Sequence, residues 1–303
     1  MQYNKFSNIQ ILLTLFLTKF YINHIIIAPY FYEDGNEKEK LYMILVCDVG
    51  NTNVVFGLYD ADNCISNFRL VSSKNMYLDE YVAKINSIVK DKKIDVSKIE
   101  GAIMSSVMPS ITKTIRDAIK VVFNLEPLVL GAGVKTGMPI LTDNPSEVGT
   151  DLVAACVGAV SRYGKPLVLV DLGTASKINV IDKNGAFIGC LIAPGLKLSN
   201  EALISAAPQL PIITYEAPRK VIGKNTMDSM NSAAIYGTAS MIDGLVKKIE
   251  RELGYPTIKL ATGGLQELVT PYCEIPFLVD QEILLYGLYK IYVKNKGEKY
   301  GKL

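Results

Sequence analysis

A duplicated α/β fold with mixed sheets and flanking helices is what this sequence predicts, on three observations. An apolar run, Met43 to Cys47, ends in Asp48-Val49-Gly50-Asn51-Thr52-Asn53, and a second apolar stretch, Val54 to Tyr59, follows with a turn at Asp60 to Asn63. The same order returns at Pro166 to Val170, Asp171-Leu172-Gly173-Thr174-Ala175-Ser176, Ile178 to Ile181 and an acidic turn at Asp182 to Gly185. Between the copies the apolar period changes to that of helices, and the copies lie much further apart than the roughly 20–50 residues of a solenoid repeat.

Each element follows in order. Met43 to Cys47 and Val54 to Tyr59 read as strands about a tight turn. Leu78, Tyr81, Val82, Ile85, Ile88 and Val89 recur at helical spacing, Gly101 to Val107 is a buried strand closed by Pro109, and Ile111 to Phe123 is the next helix. Pro145 predicts the start of a helix that carries Glu147 and Asp151 early and runs to Tyr163. After the second copy comes the run Phe187 to Ile192, a loop at Ala193-Pro194-Gly195, and one long helix over Thr226 to Leu253. Its stripe of Met230, Ala234, Met241, Ile242, Leu245 and Ile249 is read as a core or dimer face. Ile258 to Leu260 then leads to Ala261-Thr262-Gly263-Gly264, and Glu282 to Tyr292 closes the chain as a helix.

With 303 residues, at about 150 per domain, two domains are expected; the division falls near Gly164, giving 43–164 and 165–303. Lys and Arg total 32 against 30 Asp and Glu, a balance that disfavours nucleic acid as a partner. Five scattered cysteines, Cys47, Cys64, Cys156, Cys190 and Cys273, form no CxxC pair, which argues against a disulfide framework or a zinc knuckle and for a reducing, cytoplasmic setting. The apolar stretch Ile9 to Tyr30 is interrupted by Lys19 and His24 before the roughly 20 residues that a bilayer span requires. Lys5 and the run to Leu17 precede no small-residue cleavage site. Residues 1–42 are therefore expected to be an upstream extension outside the fold, with no membrane as partner and Met43 as the true start. His24 is the single histidine, so the body of the chain has no Ser-His-Asp or Cys-His triad and its chemistry must rest on carboxylates.

An aspartate at the end of a buried strand needs a partner or a metal, and the glycine two residues later lets successive N–H groups converge on an anion. Asp48 is thus a candidate for Mg²⁺, directly or through water, with Asn51, Thr52 and Asn53 as added donors. Either turn alone also reads as an ordinary Asp-Gly hairpin. The duplication, with a third glycine turn at Gly263-Gly264, favours a nucleotide gripped between two halves.

Several blocks in order resemble the type III pantothenate kinases. They are Asp48 to Asn53, Ser105-Ser106-Val107-Met108-Pro109, Lys135-Thr136-Gly137, Asp143-Asn144-Pro145, Glu147-Val148-Gly149-Thr150-Asp151, Asp171 to Ala175, Ala193-Pro194-Gly195, Ile222 to Thr226 and Ala261 to Gly264. The resemblance covers nearly everything from Met43 to about Asn295. It implies an actin-like (sugar kinase and Hsp70-type) ATPase fold, a homodimer, and transfer of the ATP γ-phosphoryl group to pantothenate, the first step of coenzyme A synthesis. It also implies Mg²⁺ and a monovalent cation, K⁺ or ammonium. Carried over by motif, Asp48, Val49, Gly50, Asn51, Thr52, Asn53, Val54 and Val55 form the ATP phosphate segment with Thr174 as a second contact. Asp171 becomes the monovalent-cation ligand, Asp151 the proton acceptor, and Thr142, Gly149, Thr150, Asp151, Leu152 and Thr226 the substrate contacts. A carboxylate acceptor makes chemical sense where no histidine is available; the plain alternative is that Asp151 is only a helix-start acid.

Three positions depart from the family pattern. Leu152 stands where an arginine helps hold the pantothenate carboxylate, Thr142 replaces a tyrosine, and Ser176-Lys177-Ile178-Asn179 replaces Thr-Thr-Phe-Asp. For Lys177 two readings stay open, a contact to phosphate or substrate carboxylate and a solvent-facing side chain. The competing reading of the whole is a silent or altered-substrate homologue that acts as a nucleotide-binding regulator.

Overall fold

A computed structural model describes residues 43–296. The upstream extension 1–42, expected to stand apart from the fold, lies outside the described residues, as do residues 297–303. Among the described residues no helix is long and apolar enough to cross a membrane, and all five cysteines are free.

The duplication is realised as two five-stranded sheets of the same topology. In the first, β1 (Met43–Val49) lies between β2 (Asn53–Asp60), its antiparallel neighbour, and β4 (Ile99–Ser106), its parallel one, with β3 (Asn63–Val71) and β5 (Leu128–Val129) at the edges. In the second, β6 (Leu167–Leu172) has the central place, flanked by β7 (Ala175–Ile181) and β9 (Ile258–Thr262), with β8 (Phe187–Pro194) and β10 (Leu278–Val279) outside.

Alternation along the two central strands decides what faces what. Ile44 and Val46 of β1, and Leu167 and Leu169 of β6, enter one shared core, whereas their neighbours Leu45, Cys47, Val168 and Val170 enter two separate outer cores. Both central strands are buried on both faces, which is why each reads as an unbroken apolar run. The shared core is filled by α3 (Thr150–Tyr163) and α8 (Ile283–Lys296). These helices cross at glycines: a Cβ on Gly287 would lie 1.8 Å from the Ala154 carbonyl oxygen, and one on Gly158 2.2 Å from that of Ile283. Beyond the first sheet pack α1 (Leu78–Asp91) and α2 (Pro109–Phe123).

Several expectations are corrected. The long helix expected over Thr226 to Leu253 is two, α5 (Thr226–Ser232) and α6 (Thr238–Leu253), joined by a π-helical turn at Ala233–Gly237. Its buried positions run Met230, Ile235, Ala239, Ile242, Val246 and Ile249; the first step is five residues long, so an extra residue in the turn keeps the stripe facing the core. Pro145 opens not the helix but a 3₁₀ turn, Pro145–Glu147, and α3 begins at Thr150 after Gly149 as its N-cap. Glu147 therefore lies outside the helix, where its Oε1 accepts from Asn144 Nδ2 at 2.9 Å. Not expected were the mostly exposed edge strand β3 and a helix after the Ala193-Pro194-Gly195 loop, Leu196–Ala206, which we number α4. The short helix α7 (Gln266–Val269) completes the set.

Candidate active site

Strand parity brings the two aspartates to one place. Asp48 follows Ile44 and Val46 at even steps, and Asp171 follows Leu167 and Leu169, so both carboxylates emerge on the shared-core side at the C-terminal ends of the central strands. The turns beyond them also meet: Thr52 Oγ1 and Thr174 Oγ1, 122 residues apart, share a 3.5 Å hydrogen bond. Gly50 N–H donates to the Asn53 carbonyl at 3.0 Å in the first turn, and Gly173 N–H to the Ala175 carbonyl at 3.2 Å in the second. Gly263, at φ +94°, lies so close to the second turn that a Cβ would sit 2.6 Å from the Leu172 carbonyl oxygen and 2.7 Å from Asp171 Oδ1.

The two aspartates differ in their company. Asp48 stands in register with Ser105 on β4, and Ser105 Oγ donates to its Oδ1 at 2.6 Å. Removal from water pushes the Asp48 carboxyl up to about 7, against the lowering effect of the Ser105 bond and with added repulsion from Asp151 and Asp171. Ser105 carried no role in the sequence reading; its signal was a polar residue closing the apolar run of β4.

Asp171 is paired directly across the ladder with Lys177 on β7, and opposite residues share one face of a sheet. Lys177 Nζ lies 2.9 Å from Asp171 Oδ2 and 3.2 Å from Asp151 Oδ2, at the first turn of α3. Of the two readings open for Lys177, the solvent-facing one is excluded: its side chain is only 18% exposed. The bridge is the centre of the site, because it ties the start of α3 to the end of β6.

Two hydroxyls of the family's substrate positions stand out, that of Thr150 next to Asp151 in the chain and that of Thr142. Thr142 Oγ1 and Thr150 Oγ1 are buried with no hydrogen-bond partner, a costly state for a polar atom unless something outside the chain completes it. Leu152 is buried, 7% exposed, beside Gly149, and offers an apolar wall where the family pattern has a cation. Thr226 heads α5, with Asn225 Oδ1 accepting from the Asp228 N–H, and it is exposed. The structure thus gathers Asp48, Thr52, Asp151, Asp171, Thr174 and Lys177.

The family model of the type III pantothenate kinases matches residues 44–248. The chain belongs to the type III pantothenate kinase family. It is 40% identical to the type III pantothenate kinase of an Exiguobacterium species over 254 residues, 84% of this chain and 100% of the relative. Against that of Halalkalibacterium halodurans it is 38% identical over 253 residues, with the same coverage. Among solved structures, the activator of the 2-hydroxyisocaproyl-CoA dehydratase from Clostridium difficile with bound ADPNP superposes with a TM-score of 0.51 at 11% identity, covering 85% of this chain and 97% of that one. The fold is therefore the duplicated actin-like one, and the chain is a kinase of this family.

Proposed function

We propose that this protein transfers the γ-phosphoryl group of ATP to the primary hydroxyl of pantothenate, giving 4'-phosphopantothenate, the first step of coenzyme A synthesis. Membership of the family across residues 44–248 carries this reading, and the convergence of the two Asp-x-Gly turns on Asp151 supports it. The division into subdomains 43–164 and 165–303, a homodimer and a cytoplasmic location go with it.

The segment Asp48 to Val55 and Thr174 hold the triphosphate from its two sides, with turn N–H groups and the Thr52 and Thr174 hydroxyls as donors. Asp48 fits as the holder of Mg²⁺: it is a desolvated carboxylate steadied through one oxygen by Ser105, and Mg²⁺ binds through one or two carboxylates plus phosphate oxygens. When bound, that ion neutralises charge on the phosphates.

Asp151 accepts the proton of the attacking hydroxyl. Its Oδ2 is engaged by Lys177, and its Oδ1 lies over Gly149, where a Cβ would come within 2.5 Å of it. Thr142 and Thr150 offer their unpartnered hydroxyls to an acceptor rich in hydroxyl and amide groups, with Gly149 and Leu152 forming the adjoining wall and Thr226 a further contact to the acceptor. A bound monovalent cation at Asp171 does not fit this chain, because the Lys177 ammonium already sits 2.9 Å from Asp171 Oδ2; no step is routed through such an ion.

A coupled assay of ATP consumption, run with and without pantothenate, tests the reading. We expect turnover that requires pantothenate. ATP binding without any pantothenate-dependent turnover would instead mark a nucleotide-binding regulator.

A further inference from the structure

The two halves repeat each other up to the residue opposite the strand-end aspartate. In the first, Asp48 faces Val55; in the second, Asp171 faces Lys177. The second turn is also one residue shorter, so that the pair stands six residues apart instead of seven. Only the second half thus carries a cation at this place, and a third carboxylate, Asp151, reaches the same ammonium from α3.

We propose that the Lys177 ammonium is a cation built into the chain at Asp171, so that phosphoryl transfer by this protein needs no potassium or ammonium ion from solution. The inference rests on the pantothenate kinase reading. Three carboxylates, Asp48, Asp151 and Asp171, influence one another here, and an anionic nucleotide brought to the same place requires fixed positive charge. Lys177 supplies it at hydrogen-bond distance from two of the three, on a stem anchored in the ladder. Two carboxylates at hydrogen-bond distance, Asp171 and Asp151, favour the charged form of the ammonium. A diffusible ion at Asp171 would have to displace this ammonium or sit beside it and be repelled. Lys177 acts through Asp171 and Asp151 and is a positioning residue.

The test compares initial rates of pantothenate-dependent ATP consumption in choline chloride, potassium chloride and ammonium chloride at equal ionic strength, for the wild type, Lys177→Ala and Lys177→Met. The wild type should differ by less than about twofold among the salts. Folded Lys177 variants should lose rate in choline and recover it with potassium or ammonium. A wild type stimulated about tenfold or more by either ion overturns the proposal, as does a folded variant that potassium and ammonium both fail to rescue or that needs no rescue. Melting temperatures give a second readout: the wild type should melt alike in potassium and choline, and potassium should selectively stabilise Lys177→Ala. If no salt yields pantothenate-dependent turnover, the kinase reading fails, and melting alone decides: selective stabilisation of the wild type by potassium overturns the built-in cation, and its absence supports it.

Discussion

Asp151 stands at the first turn of α3 with Lys177 on one carboxylate oxygen, and its replacement by asparagine keeps shape while removing the proposed proton acceptor. Asp151→Asn should lower kcat by about 10²–10⁴ and leave ATP affinity nearly unchanged, since the nucleotide contacts proposed above are Asp48 to Val55 and Thr174; wild-type turnover would reduce Asp151 to a helix-start acid. Asp48 carries a different consequence. Its folded pKa of about 7 lies above the ordinary aspartate value of 3.8, so both states bind the proton at low pH, but as pH rises the unfolded chain releases it first. The stability associated with the protonated form is therefore lost between about pH 4 and pH 7. The loss is of the order of a few kcal/mol, at about 1.4 kcal/mol for each pH unit between the two values. Asp48→Asn, which can still accept from Ser105, should raise the melting temperature of the nucleotide-free protein at pH 8 and leave it unchanged at pH 4. The sequence made Asp48 and Asp171 legible as strand-end acids but left Lys177 open, because its direction depends on the ladder register: the pairing places it opposite Asp171, and a slip of one residue would have turned it to the other face.

At the scale of elements, α3 connects site and core: Asp151 sits at its start and Gly158 lies two turns on, in backbone contact with Gly287 of α8. Gly287→Ala would place a methyl 1.8 Å from the Ala154 carbonyl oxygen, so the helices must separate. We expect a destabilisation of about 1–3 kcal/mol, read as a lowered melting temperature, together with a fall in kcat larger than any change in ATP affinity, because the displaced end of α3 carries Asp151, the proposed proton acceptor. A variant with wild-type melting and kcat would show that the crossing does not set the position of Asp151. This crossing could not be read from the sequence, in which Gly158 and Gly287 lie 129 residues apart and each looks like a small residue on an amphipathic helix. The strands were legible because both central ones are buried on both faces. The π-turn at Ala233–Gly237 escaped because a single five-residue step does little to a stripe averaged over a long window.

For the whole molecule, the repeated order of strands in the two sheets accounts for a single site between two copies of one turn. Each copy supplies an aspartate and a threonine, and what differs between them is Ser105 beside Asp48 and Lys177 beside Asp171; under the proposed function the first would hold Mg²⁺ and the second the fixed cation. Duplication was legible from the two Asp-x-Gly blocks alone. The apposition of Thr52 and Thr174 required the shared core, which α8 completes from the far end of the chain. The central claim is that this site phosphorylates the hydroxyl of pantothenate. It is tested most directly by incubating the protein with ATP, Mg²⁺ and pantothenate and following the mixture by ³¹P NMR. The account predicts a new phosphomonoester resonance that grows in step with ADP, one ester for each ADP, and is absent without pantothenate; ADP accumulating without the ester, or ATP left intact, would contradict it.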